Sequence, residues 1–182
     1  WSSCVCSSDL GLREQLSYAA EQLPEQLLRL RQAHPDTEIL LLSTCNRTEL
    51  YVAAQSALDL DGLTRALLGT GSALDAGLGG HVYLWRDGAA IEHLMMVSAS
   101  VDSMVVGETE IQGQVKQAYQ SALASGTIGK GLNALVQQAL RVAKRVRTET
   151  DLAKGRVSVG TIAVDLAARV FADLSSKTVL LI

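Results

Sequence analysis

Ile39-Leu40-Leu41-Leu42-Ser43-Thr44-Cys45-Asn46-Arg47-Thr48-Glu49-Leu50-Tyr51 sets an apolar run, a polar cluster and a second strand-like segment end to end. The run reads as a buried strand, and the pattern predicts strands over 38–44 and 49–54 on either side of the cluster. A polar cluster at the end of such a strand presents reactive groups on a rigid base. Here a thiol, a guanidinium and a carboxylate fall within five residues, Cys45 to Glu49. That combination suits a nucleophile beside a recognition site for an anionic substrate.

Upstream, residues 12–22 and 24–33 read as two helical pieces, the second opened by Pro24 in its first turn. His34-Pro35-Asp36 is a turn. Downstream, 58–68 reads as helix, 69–80 as a Gly-rich connection and 82–85 as a short strand. Helix dominates from Gly88. Ile91, Leu94, Met95 and Ser98 share one face and His93 lies on the other flank, which predicts a helix buried on both sides. Ile111, Val115, Ala118, Tyr119, Ala122 and Leu123 repeat at helical spacing. So do Leu132, Leu135, Val136, Ala139, Leu140, Ala143 and Val146. A last helix runs from Val159 to Phe171 with Ser158 as its N-cap. The chain then turns extended over 178–182, and an apolar strand is an implausible place for a domain to stop, so the sequence reads as truncated.

The chain has 182 residues, 48% hydrophobic and 19% charged, which suits one ordinary domain and the beginning of another. Its net charge of −3 gives no global argument for nucleic acid or membrane. The charge is uneven, however: residues 130–156 hold seven basic against two acidic side chains, leaving −8 elsewhere. No run approaches the ~18 apolar residues needed to span a bilayer. Three cysteines make no disulfide framework, and a reducing, cytoplasmic setting fits them best. Trp1 to Leu10 reads as non-native or disordered sequence, and Cys4-x-Cys6 carries little weight as a metal site. No metal ligands are assigned.

Cys45 is the candidate nucleophile, since a cationic neighbour favours thiolate over thiol. Arg47 offers a planar fork for a carboxylate, while Glu49 is either its structural partner or a receptor for a substrate ammonium group. His93 is either a satisfied core histidine or a general acid/base. A second polar stretch runs from Asp102 to Gln114. Gly107 permits its tight entry into a helix on which Glu110 and Gln114 share a face. Two glycine patterns, Gly69-Thr70-Gly71 and Gly126 to Gly131, lack the spacing of nucleotide loops. Arg141, Lys144 and Arg145 form a basic stripe suited to a phosphate backbone, or simply a solvated helix face.

Taken together, the blocks resemble the glutamyl-tRNA reductase family. The resemblance rests on Ser43 to Glu49 with Tyr51, Glu92-His93-Leu94, Asp102-Ser103 through Gly107-Glu108, Ile111 with Gly113 to Lys116, and Ala143-Lys144 with Val146 to Thr150. It implies an α+β fold: a ferredoxin-like catalytic domain over 11–150, then helices leading into a truncated Rossmann-type α/β domain over 151–182. It implies that Cys45 attacks the glutamyl ester of tRNA, forming a thioester that NADPH reduces to glutamate-1-semialdehyde, the first step of tetrapyrrole (haem) biosynthesis. Thr44, Asn46, Arg47, Ser103, Glu108, Thr109, Glu110 and Gln114 would hold the glutamyl group, and His93 matches the family's activity-critical histidine. A homodimer and contact with the downstream aminomutase are implied for the full-length protein, and no membrane. The sequence departs from the family in lacking its N-terminal strand, in Ser100 where glycine is usual, in Thr109 where proline is common, and in ending before the dinucleotide loop. Another cysteine-dependent acyl transferase or hydrolase, and a non-catalytic tRNA-binding module, are the alternative readings.

Overall fold

The computed structural model describes residues 2–6, 17–55, 58–59, 62–63, 66–67, 82–103, 106–108, 110–153, 159–171 and 178, with backbone alone at 2–6, 82, 153 and 159. Strands β1 (Ser2–Cys6), β2 (Thr37–Ser43), β3 (Thr48–Ala54) and β4 (Val82–Arg86) form one antiparallel sheet in the order β2-β3-β1-β4. Helices α1 (Leu23–Ala33), α2 (Gly88–Ser98), α3 (Glu110–Ala124) and α4 (Lys130–Glu149) follow in chain order, then a 3₁₀ turn (Asp151–Ala153) and α5 (Val159–Val170). The sequence places these elements well, with two corrections. Ser17–Gln22 is turn and coil rather than the end of a helix. More important, Ser2–Cys6 is neither disordered nor a missing strand: it is an inner strand, paired on both edges.

β2 shows why its apolar run is unbroken. Ile39, Leu40, Leu41 and Leu42 are all at most 1% exposed, so both faces are covered, and α1, α3 and α4 all contact the strand. Such a run is what a doubly buried strand requires. Its outer edge is partly closed by Thr127, whose carbonyl accepts from the Ile39 N–H at 2.7 Å and whose hydroxyl donates to the Ile39 carbonyl at 3.0 Å. Of the α4 stripe, Leu132, Leu135, Val136, Ala139 and Ala143 are buried, while Leu140 and Val146 are half-buried at its edges. In α3 the stripe is narrower than expected: Ile111, Val115, Ala118 and Ala122 are buried, while Leu123 is exposed. α2 is likewise buried on one side only, through Ala90, His93, Leu94, Val97 and Ser98, with Met96 outside. The stripe of α5 is exposed at Ile162, Leu166 and Val170, and Ser158 lies outside the described residues. So do most of 69–80 and 178–182.

Two backbone positions shape the segment after α2. Gly107 has φ +88°, and a Cβ there would lie 2.1 Å from the Leu152 carbonyl oxygen, so glycine is required twice over. Ser100 sits at φ +60° with a buried hydroxyl that has no hydrogen-bond partner. This explains in physical terms why a glycine suits position 100. A serine there bears left-handed strain and an unsatisfied hydroxyl, offset in part by the lower entropy of its unfolded chain. Ser100→Gly is expected to stabilise the fold by about 1 kcal/mol. A thermal melt showing a lower Tm for the variant refutes this account of the strain.

Candidate functional site

The β2–β3 connection is a four-residue loop closed by Thr44. Its N–H donates to the Arg47 carbonyl at 2.8 Å, and its hydroxyl oxygen accepts from the N–H groups of Asn46 (3.2 Å) and Arg47 (3.1 Å). A Thr side chain satisfying the backbone two and three residues on is a local turn device. The loop's base is anchored in the strand pair at Ser43 and Thr48, and the Ser43 hydroxyl accepts from the Tyr18 N–H at 2.9 Å. Cys45 is carried at the loop's apex, exposed. The thiol is therefore presented by a rigid hairpin.

Beneath the loop lies a buried polar cluster centred on Glu49, which is fully buried. Arg47 Nη1 donates to Glu49 Oε1 at 3.0 Å, Tyr83 Oη donates to the same oxygen at 3.2 Å, and Tyr51 Oη donates to Oε2. His93 Nε2 lies 3.0 Å from Glu49 Oε1, and since an ionised carboxylate only accepts, Nε2 carries a hydrogen. Burial alone would raise the Glu49 carboxyl, but the His93 hydrogen bond, the Arg47 charge and the Tyr51 hydroxyl outweigh it and hold it below its ordinary value. Burial, reinforced by the Glu49 charge, pushes Tyr51 and Tyr83 up, so both remain phenols that donate. Burial would lower Arg47, but Glu49 and Asp102 more than offset it.

Arg47 is held from outside as well. Nη1 contacts Asp102 Oδ2 at 3.0 Å, and Nη2 donates to the Asp102 carbonyl. The same Oδ2 is 3.8 Å from His93 Nδ1. Glu49 is thus Arg47's structural partner and is too buried to meet a substrate ammonium group. Arg47 is an ion-paired cation rather than an open fork.

β1 sets the spacing of this cluster. Val5 pairs with Glu49 on one side and Tyr83 on the other, so the two side chains share a row across the sheet with one strand between them. Tyr83 also packs edge-on to the His93 ring, 5.5 Å between centroids.

In front of the cluster lies a shallow open cleft lined by Thr44, Cys45, Asn46, Arg47, Ser103, Glu108, Glu110, Ile111 and Gln114. Every binding residue named from the sequence lines it except Thr109, which lies outside the described residues. His93, 4% exposed, is not in the wall; it contacts Glu49 and lies near Asp102, both of which hold the cleft residue Arg47. Tyr83, Tyr51 and Asp102 complete the cluster but were not singled out as site residues. The alternation Glu49-x-Tyr51 on one strand face was the available signal, whereas nothing local marks Tyr83. Arg141, Lys144 and Arg145 are exposed on α4, with Arg145 paired to Glu149 at 3.0 Å.

The Gly126 to Gly131 segment opens α4, and its anion site is already filled. Glu38 accepts from the Gly131 N–H at 3.1 Å and the Leu132 N–H at 2.6 Å. No helix among the described residues is long and apolar enough to cross a membrane.

Comparison with known proteins gives the family. The family model described as Glutamyl-tRNAGlu reductase, N-terminal domain, matches residues 6–150. The chain is 44% identical over 177 residues to a glutamyl-tRNA reductase of Magnetococcus marinus, covering 97% of this chain and 42% of the relative. It is 45% identical over 176 residues to that of Stenotrophomonas maltophilia, covering 97% and 40%. The solved structure of glutamyl-tRNA reductase from Methanopyrus kandleri superposes with a TM-score of 0.70 at 28% identity, covering 92% of this chain and 39% of that one. The mixed helix-and-strand architecture is thus shared with that solved structure. The chain belongs to the glutamyl-tRNA reductase family, and it spans about two fifths of the length of the curated relatives it matches.

Proposed function

We propose that this chain performs the acyl-transfer half of glutamyl-tRNA reduction. The Cys45 sulfur attacks the carbonyl of the ester joining glutamate to the tRNA 3′ end. A carbon–sulfur bond forms, the ester carbon–oxygen bond breaks, and the ribose hydroxyl leaves with a proton. Thr44, Asn46, Arg47, Ser103, Glu108, Thr109, Glu110 and Gln114 hold the glutamyl group, the acidic side chains facing its ammonium and Arg47 its carboxylate. His93 acts from behind, fixing Glu49 and through it Arg47. The observation that carries this reading is the exposed Cys45 sharing one polar cleft with Thr44, Asn46, Arg47, Ser103, Glu108, Glu110 and Gln114.

For the whole protein the reading is NADPH-dependent reduction of the thioester to glutamate-1-semialdehyde. The described residues offer no cradle for a dinucleotide: the one glycine-rich helix entry among them is occupied by Glu38. No residue is therefore assigned to the cofactor. The strand order β2-β3-β1-β4, with a helix between β1 and β2, supports a ferredoxin-like catalytic domain. The Rossmann-type continuation, the homodimer, the aminomutase contact and a cytoplasmic setting belong to the same reading of the family.

Acid-quenching the chain after mixing with glutamyl-tRNA is expected to leave one glutamyl group on the Cys45 peptide by mass spectrometry. Glutamate released with no adduct at any time point returns the site to the hydrolases. The stripe on α4 is read as a tRNA backbone contact. Neutralising Arg141 and Lys144 with glutamine is expected to reduce the slope of log K against log salt by about 1.5. An unchanged slope makes the stripe a solvated face.

A further inference from the structure

Arg47 has two carboxylate partners of unequal standing. Glu49 is fully buried and held by three further donors, so removing it from Arg47 strands charges in the interior. Asp102 is half exposed, 49% at its side chain, and touches Arg47 from the solvent side. Arg47 is 13% exposed, so only the Asp102 side of this pair is open to solvent, and it is the Asp102 carboxylate that water or another carboxylate can replace at the smaller cost. The Asp102 carbonyl, by contrast, is fixed to Arg47 Nη2, and its segment is tied by the Val101 N–H to the Met96 carbonyl and the Gly107 N–H to the Ser100 carbonyl, both 3.0 Å. The backbone is tied independently of the carboxylate, whose own contacts are Arg47 Nη1 at 3.0 Å and His93 Nδ1 at 3.8 Å.

We propose that the Asp102 carboxylate is an internal competitor: it occupies the outward face of Arg47 in the empty cleft and is displaced when a ligand carboxylate enters beside Cys45. Asp102 is then a positioning residue that sets how strongly the cleft selects an anionic acyl group over a neutral one. The idea deepens the proposed function by naming which contact a substrate carboxylate must replace. Its test needs neither tRNA nor reductant.

Iodoacetate and iodoacetamide supply that test, since both alkylate a thiol with loss of iodide and differ chiefly in a carboxylate against an amide. Their rates at the Cys45 peptide, resolved by mass from those at Cys4 and Cys6, give a selectivity ratio. A general loosening of the fold moves both rates together and leaves the ratio alone. Asp102→Asn, with Asp102→Ser as a second variant, is expected to raise the iodoacetate preference roughly two- to five-fold. The rise is expected to vanish when Arg47→Gln is added. A ratio that stays level or falls overturns the proposal, because Asp102 then merely supports Arg47. So does a rise that survives without Arg47, because it then reflects only the removed negative charge. Failure of glutamyl transfer with the expected ratios would sink the reductase reading and leave this one standing.

Discussion

With serine in place of Cys45, glutamyl transfer from tRNA to the protein is expected to fall by roughly three orders of magnitude or more. The reason lies in where the side chain sits. Thr44 closes the loop, the strand pair at Ser43 and Thr48 fixes its base, and the apex points into the cleft, so the substitution changes one atom and leaves the presentation intact. A serine hydroxyl needs a base to become a nucleophile. His93 is buried behind Glu49 and absent from the cleft wall. A rapid-quench time course with labelled glutamyl-tRNA reads the rate directly. Undiminished transfer by the serine variant removes Cys45 from the chemistry.

The second large effect concerns the buried carboxylate. Glu49→Ala is expected to destabilise the protein by about 3–5 kcal/mol, because it leaves Arg47 and His93 inside without the group they face. Asp102 still meets Arg47 from the outside, but it is half exposed and does not replace the fully buried carboxylate between Arg47 and His93. Urea denaturation measures the loss, and a midpoint within error of the parent contradicts the central place given to Glu49. The acid side of the stability curve carries a further sign. Because the folded protein holds this carboxyl below its ordinary value, its stabilisation is complete above the unfolded value, about pH 4–5. It is lost as pH falls through the depressed folded value. Glu49→Gln is expected to lose less stability than the parent across that fall.

Much of this was legible in the sequence for identifiable reasons. The unbroken Ile39–Leu42 run announces a strand covered on both faces. The α4 stripe repeats at helical spacing and is buried along its centre, from Leu132 to Ala143. Thr44, Cys45, Asn46 and Arg47 are neighbours in sequence, and Glu110 and Gln114 lie one helical turn apart, so local spacing alone brings each group to a common side. That the two groups face one another is a tertiary fact, supplied by α3 packing on β2. The departures share a different cause. Leu123 and Met96 are apolar residues at the edges of stripes, where a neighbour's extent rather than periodicity decides exposure. Arg47 read as an open fork because its partner Asp102 lies 55 residues away. Tyr83 joins the cluster only through the pairing of two strands with a third.

That third strand came from the residues the sequence reading set aside. Glu49 and Tyr83 are held two strand spacings apart, roughly 10 Å, by five N-terminal residues. Ser2–Cys6 therefore works as a spacer bar whose thickness, more than its chemistry, determines whether a phenol can span to the carboxylate. Trimming the chain's first half-dozen residues would detach the site's back wall without touching a single group in the cleft.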